Sequence, residues 1–593
     1  MLTNFSLGNF KAFGDIQTIP IRPLTLIFGP NSAGKSTILH SLLLACEANR
    51  TGEFDVYETS IAGKSVDLGG FRQYVFRRDL SRRTSCGLEL DVAGLGGRLA
   101  ELLAPCQRAR LTATIGLALD NLGHPQLEAV PDLIAYEFEL DGKPFLRMSG
   151  RPDGSIQLDK LEKDHPVLRA LVRQIISAST TTEVSSGDDA TALDEAIDAL
   201  VPQIHTHERN LFPLLGTSAT FDSPWGALLS AWGVRAQSTR GRRRVEQLSM
   251  FEGDPQQSLW SSWLRPVGRE NRAEVLAGTA KLFFPRLLAE IQDGLVSAVT
   301  EELSKVQYLG PIRFVPPRHL AHAEAQDPNW FAGGGKAWDT LLRDEKIRAR
   351  VNRWLRAENR LQTRYEIVVR EYLAADELGE PINSALQIIH ENAEKVAKEL
   401  HQAADLEAWQ GPVGSLALFD PDEHEALVEN WLRVSDADRV RDLMLLDLNS
   451  KTYVSHRDVG VGISQVLPVL VYSYSSQNMI LAMEQPEIHL HPGLQAALAD
   501  VFLESALGEN KNRFLLETHS EHLILRVLRR IRETTNGEVA EGGVAVRPED
   551  VAVLYVRPGK DGADVVEIPI RPDGEFITDW PGGFFPERAE ELF

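Results

Sequence analysis

The segment GPNSAGKST, residues 29–37, constrains this chain more than any other part of it. It fits the pattern G-x-x-x-x-G-K-[ST], and it lies between the apolar run Leu24–Phe28 and the apolar run Ile38–Ala45, which predict a strand and a helix. Glycines in such a loop let backbone N–H groups surround an anion, and a helix N-terminus favours negative charge. A phosphate-binding loop is therefore predicted, the alternative being a glycine-rich helix cap.

Individual residues of this loop have separate expected roles. Lys35 would place a cation against the β and γ oxygens of a nucleotide, and the Ser36 hydroxyl is a predicted Mg²⁺ ligand. The predicted nucleotide-binding residues here are Gly29, Asn31, Ser32, Ala33, Gly34, Lys35, Ser36 and Thr37.

A second segment, MILAMEQPEIHLHP at 479–492, reads as an apolar strand that ends in acids. Glu484 is the predicted metal ligand, directly or through water, and Gln485 and Glu487 lie where a residue that orients water would be. His489 and His491 lack the helical spacing of metal-ligating histidines and are interpreted as packing residues. Taken alone, such a strand is more often structural.

Two further segments are weak in isolation. In DVGVGISQ (458–465), Gly462 and Ser464 precede an apolar helical pattern and could present backbone donors and a hydroxyl to phosphate, although a glycine turn capped by serine is an equally simple interpretation. In ETHSEHLILR (517–526), His519 follows an apolar strand and could bond the γ-phosphate, or could simply cap a helix.

Composition limits the classes of protein that remain. The formal charge of −22 across 593 residues argues against a protein that coats DNA generally, although the basic run 235–244 leaves a local nucleic-acid contact open. Three widely spaced cysteines form neither a zinc site nor a disulfide framework, and no window resembles a secretory signal or a membrane span. A soluble, cytoplasmic protein without membrane contact is expected.

The distribution of patterns along the chain predicts an α/β fold whose two ends form one unit split by the middle. We expect five regions, with a surface loop at 178–191 and helices at 337–361 and 384–404 within the middle. The regions are 1–80 (N-terminal part of the α/β unit), 81–165 (antiparallel β lobe), 166–440 (mostly helical insertion), 441–530 (C-terminal part of the unit) and 531–593 (C-terminal β-hairpin tail).

Taken in order, the four motif segments resemble the ATP-binding-cassette heads of the RecF and SMC group. They are more closely similar to stand-alone ATPases of the overcoming-lysogenisation-defect type and the Septu defence type. The resemblance covers roughly 1–80 and 440–530, with support from YLGPIR (308–313) and DWPGGFFPERAEEL (579–592). It implies a P-loop ATPase head that uses ATP and Mg²⁺, with Glu484 as the acid of the metal site, His519 as the switch histidine and Gly462 with Ser464 as the signature motif.

In this family the nucleotide lies between two heads, so the resemblance implies a homodimer or higher oligomer in which Ser464 completes the partner's site. Gln485 stands where the family usually has glutamate, so either Glu487 acts as the base or ATP binding does the switching with slow hydrolysis. We find no nuclease motif, and the acidic run 420–425 reads as a turn, so a separate nuclease or toxin effector is the expected partner. A DNA-repair ATPase of the RecF type and a nucleotide-gated scaffold remain as alternatives.

Overall fold

The computed structural model describes residues 1–150 except 121, 123 and 127, and then 156–162, 165–168, 170, 290–314, 329–357, 360–373, 439–540 and 542–581. The predictions for 178–191, 235–244, 384–404 and 420–425 lie outside the described residues. Strands and helices are labelled in chain order. The strands are β1 (Leu2–Gly8), β2 (Gln17–Pro20), β3 (Leu24–Phe28), β4 (Glu58–Thr59), β5 (Gly63–Asp67), β6 (Thr84–Asp91), β7 (Arg108–Gly116), β8 (Asp132–Leu140), β9 (Lys143–Gly150), β10 (Ile156–Leu161), β11 (Val306–Leu309), β12 (Tyr365–Leu373), β13 (Arg439–Asp447), β14 (Thr452–Val454), β15 (Ile480–Glu484), β16 (Arg513–Glu517), β17 (Val551–Arg557) and β18 (Asp564–Glu567). The helices are α1 (Lys35–Thr51), α2 (Phe71–Tyr74), α3 (Gly97–Leu102), α4 (Gly335–Arg343), α5 (Glu345–Arg356), α6 (Val461–Ser475), α7 (Pro492–Leu507) and α8 (Glu521–Thr535), and residues 290–304 are also helical.

A six-stranded sheet in the order β11-β15-β16-β3-β17-β18 forms the centre of the fold. All neighbouring pairs are parallel except the last, β17 with β18. Every residue of β3, β15 and β16 is buried, which is the pattern of a parallel strand covered on both faces. Strands from both ends of the chain therefore build one sheet, as the sequence predicts.

Side chains alternate between the two faces of this sheet, and each face has its own core. Ile27 and Leu515 pack with α1 and the seven-stranded sheet, whereas Leu26 and Leu516 pack with α6, α7 and α8. Because the strand period is two, one short apolar strand supplies both cores. The carboxyl ends of β3, β15 and β16 consequently meet at one edge, between two rigid layers.

The antiparallel lobe is a seven-stranded sheet in the order β10-β9-β8-β7-β6-β1-β2. Residues 2–20 contribute its last two strands, β1 and β2. β3 leaves the lobe and enters the parallel sheet, because its five buried residues require cover on both faces.

Two of the expected region boundaries cut through the central sheet. β11 lies inside the expected insertion 166–440, and β17 lies inside the expected tail 531–593, yet both strands pair within the six-stranded sheet. β17 does form the antiparallel hairpin with β18 that the tail pattern indicates. The α/β class with an antiparallel lobe is confirmed, and within 329–454 the helices α4 and α5 pack beside the three-stranded sheet β12-β13-β14.

Candidate functional site

The loop from Gly29 to Gly34 joins β3 to α1 in a conformation that requires glycine at both ends. Gly29 has φ +146° and Gly34 has φ +108°. A Cβ on Gly29 would lie 2.5 Å from the carbonyl oxygen of Val556, and one on Gly34 would lie 2.7 Å from the Cβ of Ala12. Asn31 and Ser32 are exposed at the tip of the loop, so the sequence motif folds into a compact turn with an open outer surface.

Lys35 lies at the first position of α1 and is 4% exposed. Its Nζ donates to the carbonyl oxygens of Gly29 at 3.1 Å and Pro30 at 2.9 Å. Burial lowers the pKa of the Lys35 ammonium, and the nearby charge of Glu517 acts in the opposite direction. The loop thus holds a largely desolvated cation against neutral carbonyls, which is an environment suited to an incoming anion. Thr37, two residues further along the helix, is also buried.

Ser36 donates its hydroxyl to Glu517 Oε2 at 2.6 Å. Burial raises the pKa of Glu517 to about 7; the bond from Ser36 opposes that rise and the neighbouring carboxylate of Glu484 adds to it. Sequence reasoning missed Glu517 as a site residue. An acid that ends a fully buried strand directly before Thr518 and His519 was the available signal.

Glu484 ends β15 and is held by two side chains from different layers. Its Oε1 accepts a hydrogen bond from the Tyr308 hydroxyl at 2.8 Å and lies 3.2 Å from His40 Nε2. Nδ1 of His40 is in turn 3.1 Å from Lys11 Nζ. The predicted metal ligand is therefore oriented by β11 on one side and by α1 on the other.

The residues after Glu484 form a tight turn, which we call the acidic turn (Glu484–Glu487). Gln485 has φ +44°, in the left-handed region, and its N–H donates to the carbonyl of Glu517 at 2.8 Å. Arg313 donates from one nitrogen to the carbonyl oxygens of Glu484 at 3.2 Å and Gln485 at 3.0 Å. These contacts fix the backbone of the turn, and the amide of Gln485 cannot accept a proton as a base would.

Glu487 is buried, with 6% of its surface exposed. Its Oε1 accepts the backbone N–H of His519 at 2.7 Å, and its Oε2 has no hydrogen-bond partner among the described groups. Burial raises the pKa of Glu487, and the bond from His519 opposes the rise. A buried carboxylate oxygen that lacks a partner is costly, so Oε2 is available to a water or a ligand.

His519 follows β16 with its residue surface exposed, close to Lys35 and Glu487. Burial of its ring lowers the pKa of His519, and the charge of Lys35 lowers it further. The structure thus brings five predicted site residues, together with Glu517, to one edge of the sheet. They are Lys35, Ser36, Glu484, Glu487, Glu517 and His519.

The signature segment (residues 458–465) lies beside the acidic turn. Gly460 caps α6, and a Cβ on Gly462 would lie 2.7 Å from the carbonyl oxygen of His489. Ser464 is 3% exposed and donates its hydroxyl to the carbonyl of His456 at 2.7 Å. This hydroxyl is predicted to face phosphate, but it is turned inward here, so the exposed donors of this segment are the backbone groups around Gly460.

Heads of SMC proteins are among the solved structures that match the chain. The Smc head domain with an extended coiled coil bound to the C-terminal domain of ScpA, from Pyrococcus furiosus, is 10% identical, with 100% of this chain and 98% of that chain covered and a TM-score of 0.30. The SmcHead bound to the C-winged helix domain of ScpA is 8% identical, covers 96% and 98%, and has a TM-score of 0.32. The SMC head domain from Thermotoga maritima is 8% identical, covers 96% and 99%, and has a TM-score of 0.31.

No curated protein matches the sequence of the chain, but two family models do. In the part of the chain that the structure describes, no helix has the length and apolar composition needed to cross a bilayer. Residues 5–83 match the family model of an AAA domain, and residues 344–524 match that of an AAA ATPase domain. These two stretches contain the phosphate loop, the signature segment, the acidic turn and His519, so all four motif segments lie within stretches that match AAA-family models.

Proposed function

We propose that this chain is a P-loop ATPase that binds ATP and Mg²⁺ at the edge formed by β3, β15 and β16. The observation that carries the proposal is the convergence of Ser36, Glu517 and Glu484 beside the buried ammonium of Lys35. A hydrolase site built from acidic residues alone would not need a buried lysine in a glycine-rich loop. Phosphoryl transfer from a nucleotide needs both a cation beside the phosphates and oxygen ligands for a metal.

The residues present fit the two missing groups. Backbone N–H groups of the loop and the Lys35 ammonium suit phosphate, while the Ser36 hydroxyl and the Glu484 carboxylate suit a hard divalent cation. Among the described residues no three acidic, histidine or cysteine side chains form a metal site by themselves. Mg²⁺ commonly takes one or two protein oxygens and fills its other positions with phosphate and water, and it would neutralise charge on the phosphates when bound.

Glu487 is the residue that we assign as the base. Its free Oε2 and its raised pKa suit proton acceptance, and Gln485 cannot perform this task. His519 is linked to Glu487 through its backbone and lies beside Lys35, which suits a residue that reports the γ-phosphate. Tyr308 and His40 orient the Glu484 carboxylate.

We further propose that two such heads close around ATP and that closure switches a separate effector, with genome surveillance or antiphage defence as the setting. The family matches support the ATPase, and the resemblance to stand-alone defence ATPases supports the setting. A RecF-like repair role would differ by DNA-stimulated turnover.

One observation favours a second candidate, a nucleotide-gated scaffold with little turnover. Gln485 replaces an acid, and Glu487 already commits one oxygen to the His519 amide. Such a protein would bind ATP, dimerise and restrain its partner without hydrolysis.

The test is equilibrium binding and steady-state hydrolysis of ATP by the full chain, with and without double-stranded DNA, beside Lys35→Ala. We expect Lys35→Ala to weaken ATP binding about a hundredfold, since it removes a charge-assisted contact to phosphate. Equal ATP affinity in the variant and the wild type would refute the phosphate-loop assignment. Tight binding without turnover in the wild type would favour the scaffold.

A further inference from the structure

Arg313 is buried at 3% exposure between the acidic turn and α6, at the end of the YLGPIR segment that begins in β11. Besides its bonds to the carbonyls of Glu484 and Gln485, its other terminal nitrogen donates to the carbonyl of Gln465 at 3.2 Å. The Gln465 side chain returns the contact, because its Nε2 donates to the carbonyl of Arg313 at 3.2 Å. The Arg313 side chain thus joins the acidic turn to helix α6.

The carbonyl that Arg313 holds lies in a weakened part of α6. Pro468 is inside this helix and cannot donate the hydrogen bond that would reach the carbonyl of Ser464. A Cβ on Gly334 would lie only 2.7 Å from Pro468, so the opposite side of this turn is also tightly packed. Arg313 therefore supports α6 at Gln465, one residue after the carbonyl that Pro468 leaves without a helical donor.

The electrostatics of Arg313 point to the site as well. Burial lowers the pKa of Arg313 to about 10, and the charge of Glu487 opposes the shift. Its Nε has no hydrogen-bond partner among the described residues, and neither has Glu487 Oε2. A buried guanidinium with a spare donor beside a buried carboxylate with a spare acceptor is an arrangement whose energy changes when the carboxylate takes a new partner.

We propose that Arg313 is a positioning residue that makes the acidic turn and the start of α6 move as one unit. Nucleotide at the phosphate loop rearranges the acidic turn, and Arg313 carries that change to the signature segment, which faces outward toward a second head. The inference rests on the proposed ATP site. It differs from a role in binding, because Arg313 contacts neither the phosphate loop nor Lys35.

Hydrogen–deuterium exchange of the full chain, with and without Mg²⁺ and ATPγS, tests this coupling directly. In the wild type we expect protection to change both at 484–491 and at 461–475. In Arg313→Gln the change at 484–491 should persist, the change at 461–475 should fall at least about fivefold, and the affinity for ATPγS should stay within about threefold. An unaltered response of 461–475 in Arg313→Gln overturns the proposal.

Arg348 supplies a matched control, because it also donates to main-chain carbonyls, those of Leu341 at 2.9 Å and Leu342 at 3.4 Å, away from the site. Arg348→Gln should keep both responses, and loss of the 461–475 response there would also overturn the proposal. If Arg313→Gln does not fold, Arg313→Lys keeps the charge but loses the planar fork, and it should show the same selective loss. If the wild type does not bind ATPγS, the proposed function is wrong. If the wild type binds ATPγS and its exchange changes only at 484–491, the proposed function stands and this inference is wrong.

Discussion

Two buried carboxylates lie near opposite ends of β16, and their pKa values are shifted in opposite directions. At the start of the strand, Glu302 accepts hydrogen bonds from Arg513 at 2.7 Å, from the Leu2 N–H at 2.8 Å and from Lys305 at 2.8 Å. These partners outweigh burial and lower the pKa of Glu302 to about 2. At the end of the strand, burial and a second carboxylate raise the pKa of Glu517 to about 7.

The difference separates a stabilising carboxylate from a functional one at the two ends of β16. Glu302 has enough donors to remain ionised, and it ties the lobe strand β1 to the central sheet through Leu2 and Arg513. Glu517 has one hydroxyl donor and shares its surroundings with Glu484 and Glu487, so its charged form is disfavoured. A cluster of buried acids with few hydrogen-bond donors lowers stability. It is the arrangement expected where a cation or a proton binds.

The largest effect is expected at the site end. Glu487→Gln should lower the turnover number for ATP about 10²- to 10⁴-fold, because it removes the base, while ATP affinity stays near that of the wild type. Steady-state kinetics with equilibrium binding measures both. Gln485→Glu is the matched gain-of-acid variant and should raise turnover. Unchanged turnover in Glu487→Gln would remove Glu487 from the chemistry.

At the opposite end, Glu302→Gln should lower the free energy of unfolding by about 3 kcal/mol at pH 7, since it leaves Arg513 buried without its counter-charge. The folded-state pKa of Glu302 is below its ordinary value, so this stabilisation is present above pH 4.5 and is lost as the pH falls toward 2. Urea midpoints at several pH values measure it. Glu301→Gln is the control, because Glu301 bonds the same Lys305 at 2.8 Å from a largely exposed position.

Glu517→Gln should change how stability depends on pH, by about 2 kcal/mol. The folded-state pKa of Glu517 is raised, so the folded protein binds more protons than the unfolded chain between pH 4.5 and 7, and wild-type stability falls as the pH rises through that range. The variant, which has no proton to lose there, should show a flatter profile in metal-free buffer. Parallel profiles for the two proteins would contradict the assignment.

The smallest effect concerns the support of Glu484. Tyr308→Phe removes one hydrogen bond and should cost about 1 kcal/mol in kcat/KM, roughly fivefold. Tyr472→Phe is the control: its hydroxyl donates to the carbonyl of Phe331 at 2.8 Å, away from the acids, so it should leave kcat/KM unchanged. Equal losses in both variants would show that the effect is general.

The turn between Gly29 and Gly34 can be predicted from the sequence because the hydrogen bonds of Lys35 across it are local. Lys35 bonds carbonyls five and six positions away, and the glycines adopt backbone angles that a motif can encode. Glu517 was missed because its partner Ser36 is 481 positions away, a pairing that only the parallel register of β3 and β16 creates. Arg313 and Tyr308 lie in a segment noted only for its resemblance, and their roles depend on contacts more than 150 positions distant.

The expected region boundaries failed for a related reason. β11 has only four residues, and β17 is part of the hairpin pattern expected for the tail, so neither stands out as part of the strand–helix alternation of the α/β unit. Pairing with β15 and β3, and not their own pattern, places them in the sheet.

The position of β3 between β16 and β17 also constrains how the chain folds during synthesis. β3 leaves the ribosome early, but its neighbours end at residues 517 and 557, so at cellular elongation rates it waits about half a minute to two minutes for the second one. Throughout that interval a strand with four apolar residues out of five has at least one open edge, which is a template for pairing with other chains. Fragments that stop before Val551 keep that edge permanently and should accumulate as aggregates.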